Sequence, residues 1–336
     1  MKIIVTGGCG FIGSNFIHRV LKTTDFEIFN IDKLTYAGTT TNHKEFLYKP
    51  KYNFEKIDIC NMEKVLKVFR KFKPDAIVHL AAESHVDRSI ENSNEFIGSN
   101  IIGTHSLLEV TKQYCKEFNN FDSFKFLYVN SEEVFGSLRP NDPPFTEMSP
   151  YRANSPYAAS KAAGEMMVRA WYKTYGIPSL ITHSTNTYGK QQLTEKLIPK
   201  TIFRAFDRKI IPVYGDGSNV RDWIHVDDHC DALFLVLTKG RVGESYGIGA
   251  DNAWSNLNLV YEICEIVDKV THNKEPSSHP RRELVQFVLD RPGHDKRYAI
   301  DSSKIKNELG WEPKIDFSKG LEETVSWYLG HRDWWL

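Results

Sequence analysis

The chain has 336 residues, of which 41% are hydrophobic and 26% are charged. Lysine plus arginine and aspartate plus glutamate both total 43, so the formal net charge is zero. A chain of this size can bury a large core, as one large domain or as two coupled ones. Its balanced charge argues against nucleic acid and anionic membranes as partners, so an anionic ligand must be held by local groups.

The cysteine pattern and the N-terminal stretch indicate the cellular compartment in which the protein is expected. Five cysteines are scattered along the chain, with no Cys-x-x-Cys pair and no even set of the secreted kind. The first apolar stretch, residues 3–5, is stopped by glycines within a few residues, so neither a signal peptide nor a membrane span is predicted. We therefore expect a cytoplasmic protein.

The first half of the chain alternates short β-branched or aromatic runs with helical patterns. Strands are predicted at residues 2–6, 27–31, 52–57, 76–80, 125–129 and 179–183. Helices are predicted at residues 11–21, 62–72, 95–118 and 157–175. This alternation is typical of a parallel sheet covered on both faces. The sequence therefore predicts an α/β fold with a Rossmann-type, doubly wound parallel sheet.

After about Tyr188 the pattern loosens, because prolines and glycines punctuate it. Helical periodicity returns at residues 227–238 and 256–270, which predicts a smaller α/β substrate-binding lobe. The predicted Rossmann domain comprises residues 1–188 plus about 222–250, and the lobe about 189–221 and 251–330. Open parallel sheets bind ligands at the carboxyl ends of their strands, so the cleft between the two is the predicted site.

A glycine-rich turn, Gly7-Gly-Cys-Gly-Phe-Ile-Gly13, joins the first predicted strand to the first predicted helix. Glycines in this context let the backbone approach a pyrophosphate, which is bound at the helix N-terminus. Asp32 ends the second strand, where its carboxylate can accept hydrogen bonds from a ribose diol and repel a 2′-phosphate. The pattern predicts a dinucleotide site that favours NAD over NADP.

Two groups of reactive side chains follow. Tyr157 and Lys161 are four residues apart on a predicted helix and share a face, so the ammonium is expected to lower the pKa of the phenol from about 10. Ser131, Glu132 and Glu133 end the fifth strand, and the chain must leave the strand near Ser131 for both carboxylates to reach one ligand. A redox pair combined with two carboxylates suggests removal of water.

These motifs resemble the extended short-chain dehydrogenase/reductase superfamily and, within it, the nucleotide-diphosphate-glucose 4,6-dehydratases. The resemblance runs nearly end to end. Besides the glycine turn and Tyr-x-x-x-Lys, it rests on Ile31-Asp-Lys-Leu-Thr-Tyr-Ala-Gly38, Ala81-Ala-Glu-Ser-His-Val-Asp-Arg-Ser89, Glu195-Lys-Leu-Ile-Pro199, Arg221-Asp-Trp-Ile-His-Val-Asp-Asp-His229 and Asp290-Arg-Pro-Gly-His-Asp-Lys-Arg-Tyr298. It implies tightly held NAD, a nucleotide-sugar-binding lobe, and a homodimer paired through helices 95–118 and 157–175.

The resemblance implies a redox-neutral dehydration of dTDP-glucose or UDP-glucose to the 4-keto-6-deoxy sugar nucleotide. Tyr157 takes the proton of the sugar 4-hydroxyl, to which Ser131 hydrogen-bonds, while hydride passes from C4 to NAD. Glu133 then removes the C5 proton, Glu132 protonates the departing 6-hydroxyl, and hydride returns to C6. The chain departs from the family at two of these positions, because Ser131 and Glu132 stand where Thr and Asp are usual.

The same resemblance assigns the ligand-binding residues. The catalytic set is Ser131, Glu132, Glu133, Tyr157 and Lys161. The cofactor set is Gly7, Gly10, Phe11, Ile12, Gly13, Asp32, Lys33, Leu34, Thr35, Asp58, Ile59, Leu80, Ala81, Ala82, Ser84, Ser99, Tyr157, Lys161 and Thr187. The substrate set is Ser84, Ser131, Asn186, Lys196, Leu197, Pro212, Tyr214, Arg221, Asn256, Arg291 and His294. The arginines suit phosphate because a guanidinium is a two-pronged donor.

Several alternatives stay open. Thymine and uracil differ by one methyl group, so the nucleotide is not determined. GDP-mannose 4,6-dehydratases and UDP-glucuronate decarboxylases keep the glutamate that matches Glu133 but typically have serine before it, and 4-epimerases lack both carboxylates. An inactive NAD-binding scaffold is the non-enzymatic alternative. His225 and His229 are four residues apart with no third ligand nearby, so no metal is predicted.

Overall fold

The computed structural model describes residues 1–271 and 279–334. Its strands are β1 (Lys2–Thr6), β2 (Glu27–Asp32), β3 (Tyr52–Lys56), β4 (Ala76–His79), β5 (Lys125–Ser131), β6 (Ser179–Ser184), β7 (Asn186–Tyr188), β8 (Ile211–Tyr214), β9 (Val220–His225), β10 (Ser245–Ile248), β11 (Ala253–Ser255) and β12 (Val285–Val288). Its α-helices are α1 (Phe11–Thr23), α2 (Met62–Phe72), α3 (Val86–Glu91), α4 (Asn94–Phe96), α5 (Gly103–Phe118), α6 (Pro156–Tyr175), α7 (Leu197–Phe206), α8 (Val226–Lys239), α9 (Asn256–Thr271), α10 (Ser303–Leu309) and α11 (Phe317–Gly330).

The main sheet has seven parallel strands in the order β10-β6-β5-β4-β1-β2-β3. Successive residues of β1 face opposite sides, so Ile3 and Val5 pack into one apolar cluster and Ile4 into another. Helices α1 and α8 cover the first side, and α2, α5 and α6 cover the second. The prediction of a Rossmann-type, doubly wound sheet is confirmed.

A third apolar cluster forms the core of the smaller lobe. It joins α7, α9 and α11 through buried residues such as Ile202, Ile263 and Leu321. Two small sheets belong to this region: β11-β9-β7, in which β9 pairs antiparallel with β11, and the parallel pair β12-β8. These elements form a smaller α/β region beside the main sheet, and its role in substrate binding stays a prediction.

The helix predicted over residues 95–118 is interrupted. A π-helical segment, Ile97–Ile102, separates α4 from α5. Asn100 lies in this segment with its side chain buried, where it accepts from the backbone N–H of Glu83 at 2.9 Å and donates to the carbonyl of Glu83 at 3.0 Å. A π-bulge often marks a functional site, because the extra residue redirects side chains toward a ligand. Hydrophobic periodicity alone does not reveal it.

The packing bears on the predicted division into lobes, which stays a prediction. Strand β10 belongs to the main sheet, in line with assigning residues 222–250 to the Rossmann domain. Ile305 and Trp311, assigned to the smaller lobe, pack into the core of the main sheet instead. Residues 272–278 of the predicted lobe lie outside the described residues.

Two further properties concern the chain as a whole. Each of the five cysteines, Cys9, Cys60, Cys115, Cys230 and Cys264, has a free thiol. Among residues 1–271 and 279–334, no helix has the length and apolar character needed to cross a bilayer.

Candidate active site

A cavity lies at the carboxyl ends of the central strands. The predicted cofactor and catalytic residues that line it are Gly7, Gly10, Phe11, Ile12, Gly13, Asp32, Lys33, Thr35, Ile59, Leu80, Ala81, Ala82, Ser84, Ser99, Ser131, Glu133, Tyr157, Lys161 and Thr187. Two further predicted substrate residues, Asn186 and Lys196, also line it. The predicted residues outside its lining are Leu34, Asp58, Glu132, Leu197, Pro212, Tyr214, Arg221, Asn256, Arg291 and His294. The fold thus gathers most of the predicted site around one cavity.

The glycine-rich turn is shaped by close backbone contacts. Gly7 has φ of +72°, and a Cβ there would lie 2.6 Å from the backbone of Ala81. A Cβ on Gly13 would lie 2.2 Å from the carbonyl oxygen of Gly7. Gly10 differs, because a Cβ there would meet only the Gly7 oxygen, at 3.4 Å. Gly10 therefore leaves open space facing the cavity at the N-terminus of α1, which fits a pyrophosphate.

Asp32 is fixed at the end of β2 by two backbone donors. Its Oδ2 accepts from the N–H of Cys9 at 2.9 Å, and its Oδ1 accepts from the N–H of Leu34 at 2.8 Å. Burial raises the pKa of Asp32, and both N–H donors oppose the rise. Each carboxylate oxygen keeps a further lone pair for a ribose hydroxyl.

Two residues predicted to bind cofactor, Leu34 and Asp58, lie just outside the cavity lining and have contacts within the protein. Leu34 has φ of +56°, and its backbone N–H holds Asp32. Asp58 accepts from the N–H of Cys60 at 2.9 Å, and its carboxylate lies 3.9 Å from the ammonium of Lys33. Both stand next to cavity-lining residues, Lys33 and Ile59, and their contact with the cofactor stays a prediction.

Strand β5 ends at Ser131, and the 3₁₀ helix Glu132–Phe135 follows at once. The hydroxyl of Ser131 caps this helix by accepting from the N–H of Glu133 at 3.3 Å. The chain therefore leaves the strand where the prediction required. The turn sends the two carboxylates to different surroundings, because Glu133 lines the cavity and Glu132 does not.

Glu133 combines burial with nearby positive charge. Burial raises the pKa of its carboxyl group, while Arg291, Arg221 and Lys196 oppose the rise. The hydroxyl of Tyr298 donates to its Oε2 at 3.4 Å. A carboxylate shifted toward neutral pH is a suitable general base.

Glu132 is only 1% exposed, and neither carboxyl oxygen has a hydrogen-bond partner among the described residues. Burial raises its pKa well above the usual range, and Asp222 adds to the rise, against Arg221. A buried carboxyl group without a partner is stable only in the neutral form. Burial thus favours the protonated form of Glu132, which suits a proton donor.

Tyr157 and Lys161 share one face of α6, which Ser155 caps through its hydroxyl at 3.1 Å from the N–H of Ala158. The prediction that Lys161 lowers the pKa of Tyr157 is wrong for this structure. Burial and the carboxylate of Glu133 raise the pKa of Tyr157, against a hydrogen bond with Ser131.

Lys161 explains that outcome. Its ammonium donates to the carbonyl of Val129 at 2.8 Å and lies 4.4 Å from the ring centre of Tyr128. Burial lowers the pKa of Lys161 to about 7. Burial thus weakens the charge that Lys161 could offer to the phenol of Tyr157.

A second polar group lies beside the cavity, around Asp87 of α3. The carboxylate accepts from Arg291 at 3.0 Å and from the hydroxyl of Tyr214 at 3.0 Å. Burial favours a higher pKa for Asp87, but these two partners hold it below its usual range. The ring of His294 packs edge-on to Tyr214, with ring centres 6.1 Å apart, and is bonded to Asp290 at 2.6 Å. Three predicted substrate residues are thereby brought together.

The remaining predicted substrate residues are placed separately. Arg221 donates to the carbonyls of Val220 and Asp295, each at 2.8 Å, and lies over the ring of Tyr298. The other three have structural positions in the smaller lobe: Leu197 begins α7, Pro212 lies in β8, and Asn256 begins α9 with a buried side-chain oxygen that lacks a partner among the described residues.

Sequence reasoning missed several cavity residues. These are Ile31, Ala37, Gly38, Ile57, Glu83, Val129, Asn130, Ser184, Thr185, Gln192, Leu193 and Glu195. Glu83 and Glu195 lie inside strings that had been singled out, and Asn130 directly precedes Ser131. Asp87 and Tyr298 were likewise inside such strings. The sequence offered one signal for these residues: they stand next to assigned residues at the ends of parallel strands.

The two histidines considered as metal ligands have other partners. His225 caps α8 by accepting from the N–H of Asp227 at 3.2 Å. His229 is bonded to the hydroxyl of Thr187 at 2.9 Å. In the part of the chain that the structure describes, no three His, Cys, Asp or Glu side chains gather as a metal site would require.

A Rossmann sheet with a glycine-rich first turn, and a tyrosine and lysine of one helix at the same cavity, define the extended short-chain dehydrogenase/reductase class. A family model described as GDP-mannose 4,6 dehydratase matches residues 4–324. The chain belongs to this family.

Individual relatives are similar to the chain over nearly its whole length. The chain is 49% identical to dTDP-glucose 4,6-dehydratase of Haemophilus influenzae, over 98% of both chains. It is 46% identical to the Neisseria meningitidis enzyme of the same name, over 99% of this chain and 95% of the other. The crystal structure of dTDP-glucose 4,6-dehydratase from Bacillus anthracis in complex with NAD covers all of this chain and 98% of its own, with 42% identity and a TM-score of 0.87.

Proposed function

We propose that this protein is an NAD-dependent lyase that removes water from dTDP-glucose, giving the 4-keto-6-deoxy sugar nucleotide. The observation that carries the proposal is the pair Glu132 and Glu133. Glu132 is a buried carboxyl group without a partner among the described residues, and burial favours its neutral form. It directly precedes Glu133, which lines the same cavity as Tyr157 and Lys161 and is influenced by three cations. Elimination of water needs one acid and one base, and environments that separate two carboxyl groups in this way supply them.

NAD fits the residues that would hold it. The open space at Gly10 suits the pyrophosphate, and the free lone pairs of Asp32 suit the adenosine ribose. When bound, NAD supplies the hydride acceptor and the positive charge of its oxidised ring. The carboxylate of Asp32 disfavours a 2′-phosphate, so NADP is expected to bind more weakly.

The residues of the chain divide the proton transfers among them. Tyr157, hydrogen-bonded to Ser131, accepts the proton of the sugar 4-hydroxyl in its phenolate form, after its own proton has passed to solvent. Any positive charge on Lys161, four residues away on α6, would favour that phenolate. Glu133 takes the C5 proton once C4 is a ketone. Glu132 gives its proton to the departing 6-hydroxyl, so water leaves without forming hydroxide.

Three cations near Glu133, of which Lys196 lines the cavity and Arg221 and Arg291 do not, suit the diphosphate. Arg291 has a buried Nε without a partner among the described residues, while its Nη1 is held by Asp87. That free donor, beside Lys196 and Arg221 around Glu133, supports a diphosphate position next to the sugar.

The direct test incubates the purified protein and NAD with dTDP-glucose, UDP-glucose and GDP-mannose in parallel, followed by mass spectrometry. We expect dTDP-glucose to give a product lighter by one water, at the highest kcat/KM of the three. Conversion of only GDP-mannose or only UDP-glucose would overturn the nucleotide assignment. Unchanged mass with all three, or formation of a C4 epimer, would overturn the dehydratase proposal.

Gly7 and Gly10 offer a matched pair of variants. Gly7→Ala places a Cβ against the Ala81 backbone at positive φ, so we expect a loss of unfolding free energy of about 1–3 kcal/mol. Gly10→Ala meets only ordinary contact within the protein, so we expect near-native stability but weakened NAD binding. Thermal unfolding and NAD titration measure the two effects separately. Unchanged NAD affinity in Gly10→Ala would contradict a pyrophosphate at this turn.

We also propose a cytoplasmic homodimer. Its support is the exposed apolar surface on the helices expected to pair, where Ile97, Ile102 and Met166 are 45%, 51% and 61% exposed. The five free thiols suit a reducing compartment. Sedimentation of the purified protein measures the oligomeric state, and a monomer at micromolar concentration would contradict the dimer.

A further inference from the structure

A buried ion network lies behind the catalytic turn, centred on Glu165 of α6. Its carboxylate is fully buried and is bonded to the side chain of His183 at 2.7 Å and to Arg169 at 2.7 Å. It also accepts hydrogen bonds from the hydroxyl of Tyr151 and the side-chain amide of Asn130. Burial would raise the pKa of Glu165, but these partners lower it to about 2, so the group is a permanent anion.

Asn130 connects this anion to the active site. Its amide nitrogen donates to Glu165, and its carbonyl oxygen accepts from the backbone N–H of Ser131 at 2.9 Å. Ser131 is the residue at which β5 ends and whose hydroxyl caps the 3₁₀ helix of Glu132 and Glu133. The orientation of Asn130, and through it the start of the catalytic turn, is therefore set by Glu165.

Glu165 also acts on Lys161, one helical turn away. The charged and titratable groups that face Lys161 are Glu165 and Tyr157 on α6, Tyr128 on β5 and His79 on β4. Burial lowers the pKa of Lys161 to about 7, and Glu165 opposes that fall. Without this anion, the ammonium would lose its proton at a lower pH.

We propose that Glu165 is a positioning residue of the reaction, which aligns the Ser131–Glu133 turn through Asn130 and places a negative charge one helical turn from Lys161. This inference rests on the proposed function. The simpler alternative is that Glu165 only satisfies the donors of Arg169, His183 and Tyr151. A purely structural role predicts that substitution of Glu165 lowers stability. The enzyme that stays folded would then keep the reaction rates and pH dependence of the unaltered protein.

The test compares Glu165→Gln and Glu165→Asp with the unaltered protein, each loaded with NAD. Single-turnover absorbance reports NAD reduction by dTDP-glucose, and product analysis reports loss of water. In Glu165→Gln we expect the high-pH limb of NAD reduction to move down by about one pH unit. We also expect dehydration to fall about tenfold more than NAD reduction, because the turn loses its alignment. Glu165→Asp keeps the charge and should restore the pH limb.

Asp268→Asn is the matched control. Asp268 pairs with the buried Arg281 at 2.7 Å in the smaller lobe, so this change also removes a carboxylate from a buried arginine. We expect it to lower stability without moving the pH limb. If Glu165→Gln behaves like this control, the proposal is overturned.

The proposed function and the role of Glu165 can be contradicted by separate results. Absence of dehydration in the unaltered protein overturns the proposed function. The pH dependence of NAD affinity can be measured without substrate. Because Lys161 lines the cavity, this dependence reports the titration of Lys161 in every variant. A downward shift of that dependence in Glu165→Gln supports the role of Glu165, and an unchanged dependence contradicts it. If Glu165→Gln does not fold, Glu165→Asp serves as the test variant. An unchanged ratio of the dehydration rate to the NAD-reduction rate in Glu165→Asp then overturns the alignment role.

Discussion

Glu132→Gln is expected to stop the loss of water while NAD reduction at C4 stays detectable. Glutamine has nearly the same shape as the neutral glutamic acid that burial favours at this position, so packing is retained. It lacks the acidic proton that the departing 6-hydroxyl needs. Removing a general acid costs about 10²–10⁴-fold in rate. Dehydration is followed by mass spectrometry and NAD reduction by absorbance.

Glu132→Asp is the informative companion. It introduces the residue usual in the family at this position, with the carboxyl withdrawn by one methylene. We expect dehydration to persist, reduced by up to about 10²-fold because the carboxyl group is displaced by about one carbon–carbon bond length. Full dehydration activity in Glu132→Gln would remove Glu132 from the reaction.

Tyr157→Phe is expected to abolish turnover at its first step. The hydroxyl that it removes is the proposed acceptor of the 4-hydroxyl proton, so neither oxidation at C4 nor elimination should proceed at more than about 10⁻²–10⁻⁴ of the normal rate. NAD binding should persist, since the ring of Tyr157 remains to line the cavity. The measurement is single-turnover NAD reduction at saturating dTDP-glucose.

Tyr188→Phe provides the control for that variant. Tyr188 is also buried, and its hydroxyl donates to the carbonyl of Phe317 at 3.4 Å in the core of the smaller lobe. The same chemical change there should lower stability by about 1 kcal/mol and leave turnover nearly unchanged. Comparable loss of NAD reduction in both variants would contradict a specific role for Tyr157.

Much of the fold follows from the sequence because local patterns and tertiary packing agree in the first half. Alternating apolar strands and amphipathic helices predicted six strands of the main sheet, and Asp32 and the glycine turn were placed by spacing alone. The short strand β10 was not predicted as an element, since Ser245–Ile248 joins the sheet only through its pairing with β6. The π-helix was also missed, because it depends on Asn100 meeting the backbone of Glu83, a distant partner.

The sequence predicted which residues belong to the candidate site, but it did not predict the charge environment of each residue. The sequence places Glu132 and Glu133 side by side, yet only the fold shows that one is enclosed without a partner and the other is surrounded by cations. Spacing likewise paired Tyr157 with Lys161 but could not show that Val129 holds the ammonium. The role of Glu165 was not predicted, because only Arg169 lies on the same helix and its other three partners come from three separate segments.

The hydride path tests the account most directly. dTDP-glucose carrying deuterium at C4 is converted by the NAD-loaded protein, and the product is examined by mass spectrometry and NMR. The account predicts a product lighter by one water, with the deuterium transferred to C6, which becomes a methyl group. A product of unchanged mass, or a dehydrated product without deuterium at C6, would contradict it.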